Sequence, residues 1–206
     1  KRSALRANFA NAKFGFKGKQ GFTIQGLRKV YKNLRIRLLG AHQIANASLA
    51  VGLVEALSFF GFNFGSGAIR RGLYNTIWPG RCEVTGRNPL IVLDGAQNLA
   101  SAVILKSAIR ENFKYKKLIL VLGISLDKDI FGVCGVLNTL ADAVILTRAN
   151  TCRAAEPVKL SGYFRRKVYL TQSVQEAKLL AKRIARPEDL ILVTGSLFVV
   201  GEFRNV

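Results

Sequence analysis

The residues best able to do chemistry lie in two short runs, Trp78-Pro79-Gly80-Arg81-Cys82-Glu83 and Leu93-Asp94-Gly95-Ala96-Gln97-Asn98. In the first, a Pro-Gly turn presents Arg81, whose guanidinium is a rigid fork of donors with a permanent positive charge. In the second, a strand ends in Asp94 on a glycine turn that opens a helix. A strand end, a glycine and a helix N-terminus together offer N–H donors to an anion. The chemistry on offer is therefore recognition of phosphate or carboxylate.

These runs need elements to hold them. From Arg81 onward, strands are expected near Glu83–Thr85, Leu90–Asp94, Leu118–Gly123, Ala143–Thr147, Val168–Thr171 and Leu190–Thr194. Helices are expected at Asn98–Asn112, Ile130–Leu140, Val174–Ala185 and after Gly195. Continuous apolar strands alternating with amphipathic helices predict an α/β fold, a mostly parallel six-stranded sheet with helices on both faces. Ligands of such sheets bind at the carboxyl ends of the strands. There the sequence puts Asp94-Gly95, Ser125 to Asp129, Thr147 to Arg153, and Thr194-Gly195-Ser196.

Upstream the rhythm changes. Residues 1–40 hold short apolar islands between Gly and Lys/Arg: Phe14-Gly15-Phe16, Gly21-Phe22-Thr23-Ile24 and Leu34-Arg35-Ile36-Arg37-Leu38. They read as antiparallel strands, the last with one wet, basic face. A helix follows from Gly40 to Phe60 with Gly61 suited to its C-cap, and a second runs from Ser66, an expected N-cap, to Asn75. Asn46 is a poor helix former in the first turns and asks for a specific bond, to its own helix end or to a ligand. Thr76 to Pro79 reads as a linker.

Half of the 206 residues are hydrophobic, which marks a folding chain. No continuous apolar run reaches the length of a membrane span, and no signal peptide is visible. Cys82, Cys134 and Cys152 are odd in number and lack CxxC spacing, which favours a reducing, cytoplasmic setting over disulfides or zinc. A single histidine, His42, cannot build a histidine metal cluster. The net charge is +20, and residues 1–81 hold 14 Lys/Arg against one acid, Glu55, which gives +13 there. Such an excess attracts polyanions unless it is simply a solvated surface. With no methionine and Lys1 at its start, the chain is expected to be a fragment.

In order and spacing, the motifs over residues 39–202 resemble the bifunctional dihydrofolate synthase/folylpolyglutamate synthases of the Mur ligase superfamily. The carrying residues are Leu39-Gly40-Ala41-His42-Gln43 with Asn46-Ala47, the two runs above, Asp127-Lys128-Asp129, Thr147-Arg148-Ala149-Asn150 with Arg153-Ala154, and Thr194-Gly195-Ser196-Leu197 with Gly201-Glu202. The resemblance implies that residues 1–79 end a central ATPase domain and that 80–206 form a Rossmann-like C-terminal domain. It also implies ATP-dependent amide formation. A phosphoryl group passes from ATP, with Mg2+, to a carboxylate of dihydropteroate or a folate, and L-glutamate attacks the acyl phosphate. Arg81 and Asp94 are then the expected catalytic residues, with Asn46, Arg81, Asp94 and His42 on the nucleotide. Gln97, Asn98 and Ser196 are expected on L-glutamate. Gln97 replaces the family's usual histidine, so it can donate to a carboxylate but carries no charge. No GxxxxGK[ST] stretch occurs, so the magnesium ligands and the phosphate loop are expected outside this chain. The chain alone is expected to be inactive, and the intact enzyme monomeric.

Two other readings compete. The charge suggests a basic nucleic-acid-binding module, although no helix-turn-helix, zinc or RNP signature accompanies it. Gln97 and the absent phosphate loop suggest a non-catalytic Mur-ligase-like relative that binds a partner.

Overall fold

The computed structural model describes residues 4–5, 15–16 and 20–205; Phe14 of the first apolar island lies outside them. The chain divides between Trp78 and Pro79 into two compact units. Pro79, expected to close the first domain, belongs to the second.

The first unit is a three-stranded antiparallel sheet with two helices. Strand β1 (Ala4–Leu5) pairs with β2 (Gln20–Gln25), and β2 pairs with β3 (Val30–Ile36). From Leu34 to Ile36, period two buries Leu34 and Ile36 and leaves Arg35 in water; an irregularity at Asn33, with φ 58, shifts the register so that Tyr31 is buried as well and Lys32 is exposed. Helix α1 (Ala41–Ala56) runs into a 3-10 turn, Leu57–Phe60, which Gly61 ends in the left-handed region at φ 86. Helix α2 (Ser66–Asn75) is capped by Gly65, so Ser66 is its first residue and not its N-cap.

Gln43, Ala47, Val51 and Glu55, spaced by four, form the buried stripe of α1. Ala47 and Val51 pack with Phe22, Tyr31, Leu34 and Ile36 of the sheet. The other side is apolar too: Leu49 is 66% exposed, Leu53 62% and Leu57 41%. Taken with its 3-10 turn, Ala41–Phe60 is long and apolar enough, by length and composition alone, to cross a membrane. It contains no continuous apolar run, because His42, Gln43, Asn46, Ser48, Glu55 and Ser58 interrupt it.

In the second unit, β4 (Glu83–Arg87) and β5 (Leu90–Leu93) form an antiparallel hairpin. The chain continues through α3 (Leu99–Asn112), β6 (Leu118–Leu122), α4 (Ile130–Asn138), β7 (Ala143–Leu146), α5 (Pro157–Ser161), β8 (Lys167–Leu170), α6 (Val174–Ile184), β9 (Leu190–Thr194) and α7 (Leu197–Asn205). The six strands lie in the order β8-β7-β6-β9-β5-β4, all parallel except β4. All five residues of β6 and of β9 are buried, as expected for central strands covered on both faces. One face of the sheet, with Ile119, Val121, Ile191 and Val193, packs on Val174, Ala177 and Ala181 of α6 and Val199, Val200 and Phe203 of α7. Period two turns Leu118, Leu120, Leu190 and Leu192 to the other face, where they are equally buried. The short helix α5 was not expected from the sequence; five residues starting at Pro157 are too few to show a helical period.

Glu55 is the one acid among residues 1–81, and it points inward, only 6% exposed. Its carboxylate accepts the backbone N–H of Leu27 and of Arg28 (3.3 Å) and the Tyr31 hydroxyl (3.1 Å). Burial pushes its pKa up. The N–H donors of Leu27, Arg28 and Lys29 and the Tyr31 hydroxyl outweigh burial and leave it below its ordinary value of 4.5. Glu55→Ala is expected to cost about 1–3 kcal/mol, because it strands buried donors. The folded-state pKa is the lower one, so this stabilisation is complete above the ordinary value and fades as pH falls through the folded value. Thermal unfolding at pH 7 and pH 3 checks this: the gap between wild type and Glu55→Ala should narrow in acid.

Candidate functional site

Arg81 sits half-buried at the mouth of the hairpin. Its only hydrogen bond among the described residues is a 3.5 Å contact to the Gly80 carbonyl, the outer limit of such a bond, so most of its donor fork is uncommitted. The backbone around it is tied down. Gly80 N–H donates to Glu83 Oε2 at 2.9 Å, and Cys82 N–H to Asp94 Oδ2 at 2.8 Å. Gly95 N–H donates to the Gly80 carbonyl at 2.9 Å, which joins the two runs. A Cβ at Gly95 would stand 3.0 Å from Arg81 Nη1 and closer still to Leu197, so a larger residue there would push those two side chains aside.

Asp94 uses both carboxylate oxygens on backbone, Oδ2 on Cys82 and Oδ1 on Ala96 N–H at 2.9 Å. The side chain thus organises the turn, whatever else it touches. Cys82 is buried and in the left-handed region at φ 48. Burial pushes its thiol pKa far up, and the Asp94 charge adds to the effect.

The Asp-Gly and Thr-Gly-Ser turns meet at Ala96, whose carbonyl accepts Gly195 N–H at 3.0 Å and the Thr194 hydroxyl at 3.3 Å. Two helices begin there. Asn98 caps α3: its Oδ1 accepts Ser101 N–H at 2.9 Å, and Ser101 Oγ accepts Asn98 N–H at 3.1 Å in a capping box. Ser196 is 4% exposed and accepts Phe198 N–H at the start of α7. Of the three residues expected on L-glutamate, two therefore serve as helix caps, and buried Ser196 offers little surface to a ligand. Gln97 is half-buried, and its side chain makes no hydrogen bond among the described residues. Adjacent helix N-termini favour a carboxylate between them, through free N–H groups and aligned dipoles.

The neighbouring rim is bound loop to loop. Leu126 N–H donates to the Arg153 carbonyl and Ala155 N–H to the Ile124 carbonyl, both at 2.8 Å. Arg153 grips both oxygens of Asp127 at 3.0 and 2.9 Å, and Lys128 pairs with the same carboxylate at 2.9 Å. These cations hold the exposed Asp127 carboxyl down at about 2. Arg148 pairs with Glu156, Asn150 N–H donates to Glu202 at 2.8 Å, and Asp129 caps α4 through Gly132 N–H at 2.8 Å. Glu83 and Glu202 stand in the sequence motifs without an assigned task, and Glu156 was not singled out, because nothing local links each to a group reached only after folding.

Arg81, Asp94, Gln97, Asn98 and Ser196 all lie in the second unit, whereas His42 and Asn46 lie in the first. Asn46 is exposed in the second turn of α1, and its Nδ2 donates to Gln43 Oε1 at 3.1 Å. Among the described residues, no three His, Cys, Asp or Glu side chains gather as a metal site.

Residues 80–197 match the Mur ligase glutamate ligase domain. The chain is 39% identical over 177 residues to a Haloferax volcanii protein named a probable bifunctional folylpolyglutamate synthase/dihydropteroate synthase, covering 84% of this chain and 20% of that protein. It is 29% identical to the dihydrofolate synthase/folylpolyglutamate synthase of Mycobacterium tuberculosis, covering 92% of this chain and 43% of the other. The M. tuberculosis folylpolyglutamate synthase solved with ADP superposes with a TM-score of 0.84 at 27% identity, over 99% of this chain and 47% of that one. The chain thus spans less than half the length of these relatives.

The cap geometry makes a prediction. Asn98→Ala and Ser196→Ala should each destabilise the second unit by about 1 kcal/mol, the usual worth of an N-cap. Denaturant unfolding followed by circular dichroism measures it, and a loss near zero for either would show that its cap bond does not stabilise the helix.

Proposed function

This chain belongs to the Mur ligase family through its glutamate ligase domain, and from that premise we propose that its second unit serves ATP-dependent ligation of L-glutamate to a folate-type carboxylate. The observation that carries the reading is the arrangement of Arg81, held in a fixed turn with most of its donors uncommitted, in the same unit as the paired N-termini of α3 and α7. One end of such a rim suits a phosphoryl group and the other an amino-acid carboxylate.

The reaction is a balanced exchange. The acceptor carboxylate takes the γ-phosphoryl group of ATP and releases ADP. The glutamate amine then attacks the acyl carbon, and inorganic phosphate leaves. Arg81 neutralises charge on the transferring phosphoryl, where a preorganised cation in a water-poor site acts most strongly. The turns around Gln97 hold glutamate so that its amine meets the acyl phosphate, and Gln97 donates through its amide.

In this reading the acceptor is dihydropteroate or a folate carrying glutamate. Asn46, near the start of α1, meets the adenine, an amide being able to bond its edge through donor and acceptor together, and His42 faces the nucleotide. Residues 1–79 are the end of a larger ATPase domain. The second apolar stripe of α1 supports this, because a helix apolar on both sides packs on both. The intact enzyme is read as a monomer. Three free cysteines fit a reducing compartment such as the cytoplasm.

The test is glutamate-dependent ADP release by the native polypeptide, with dihydropteroate or a folate as acceptor. Arg81→Ala should lower turnover by about 100-fold or more, as removal of a charge-stabilising donor does elsewhere, and leave the circular dichroism spectrum unchanged. Near-normal turnover would remove Arg81 from the mechanism, and absence of any glutamate-dependent release would remove the ligase reading itself.

A further inference from the structure

We infer that Glu83 and Asp94 are positioning residues for Arg81: their carboxylates hold the backbone N–H groups on either side of it and so fix where its guanidinium points. The inference rests on the reading of Arg81 as the phosphoryl-binding group. It adds a role for Glu83 and gives Asp94 a task through Arg81 in place of direct contact with the reacting atoms.

The bracket is visible residue by residue. Gly80, before the arginine, has φ +69, and Cys82, after it, has φ +48. A side-chain-bearing residue holds such a φ only where its surroundings over-determine it. Here two carboxylates do so. Glu83 takes the N–H of Gly80 and Asp94 that of Cys82. Neither carboxylate floats. Glu83 is pinned from α7 by Arg204 at 3.3 Å. Asp94 is pinned by its own backbone, whose N–H donates to the Val193 carbonyl of β9 at 3.0 Å, and by the N–H of Ala96. The hairpin turn is thereby referenced to a central strand and to α7, the helix that starts at the Thr-Gly-Ser turn. A flexible arginine on a loop would have to be ordered at each encounter with an anion. One whose backbone is fixed on both sides has that cost met in advance.

The chain carries its own reporters. Cys82 and Cys134 are buried and Cys152 is exposed, all three as free thiols. Cys82 lies inside the bracket, whereas Cys134 lies in the middle of α4 and reports general loosening. With a disulfide reagent such as dithiobisnitrobenzoate, the unsubstituted chain should show one fast thiol, Cys152. Glu83→Ala and Asp94→Ala should each add a second, mapped by peptide mass to Cys82, while Cys134 stays protected. Glu83→Gln keeps an oxygen for the Gly80 N–H but loses the charge paired with Arg204, so it should fall between the unsubstituted protein and Glu83→Ala. In parallel, the native polypeptide is titrated with a non-hydrolysable ATP analogue while the Arg81 Nε–H resonance is followed. Glu83→Ala should weaken the Arg81 response about tenfold, equivalent to about 1.4 kcal/mol, and Glu83→Gln should recover part of it.

Cys82 staying protected in both alanine variants, or Cys134 opening in step with it, would overturn the bracket. So would an unweakened response to the ATP analogue in Glu83→Ala. An Arg81 resonance that the analogue does not move in the unsubstituted native polypeptide would sink the phosphoryl-binding reading instead, and the thiol result alone would then decide the bracket.

Discussion

The Asp94 carboxylate is the joint on which the candidate site depends. One oxygen reaches back to Cys82 at the start of the hairpin and the other reaches forward to Ala96 before α3. Its backbone N–H is bonded to β9. Three segments distant in sequence, around Cys82, Asp94 and Val193, therefore share one frame, and the Ala96 carbonyl extends the last of them to the Thr-Gly-Ser turn. Hydrogen bonds to an ionised acceptor are the stronger kind. A site that must hold a cation and two helix ends in register needs such bonds at its centre.

Around that joint the unit spends polar side chains mainly on its own backbone. Asn98, Asp129 and Ser196 cap helices, and Asp127 ties two rim loops together through Arg153. Among the described residues of the rim, this leaves uncommitted most of the Arg81 fork, the Gln97 amide and the buried Thr147 hydroxyl. A site built this way is rigid in its frame and sparing in its ligand-facing groups, which suits a reaction in which positioning and charge neutralisation do most of the work.

The first unit follows another economy. Its single acid is turned inward to hold the turn between β2 and β3, so its surface cations gain no acidic neighbour from residues 1–81. Its longest helix is apolar on two sides and covered on one. The stripe through Ala47 and Val51 has its sheet, whereas that through Leu49 and Leu53 faces outward. This is the physical ground for reading the unit as part of something larger, and it stands apart from any family likeness.

The sequence by itself determined the α/β rhythm of the second unit, because buried parallel strands such as Leu118–Leu122 and Leu190–Thr194 must be continuous apolar runs. It also determined the family, because Arg81, Asp94 and the Thr-Gly-Ser turn occur in the right order. Strand ends came out within a residue or two, with Asp94, Gly123 and Thr147 falling just past their strands. Only the tertiary structure decided what the polar residues at those ends do. A hydrogen-bond partner is chosen by position in space, so Asn98 and Ser196 became caps, Asp94 a staple and Glu83 a brace without any local signal to say so. The apolar character of Ala41–Phe60 was likewise hidden while its residues were read in line, since a helix gathers into stripes what the chain scatters among alanines and glycines.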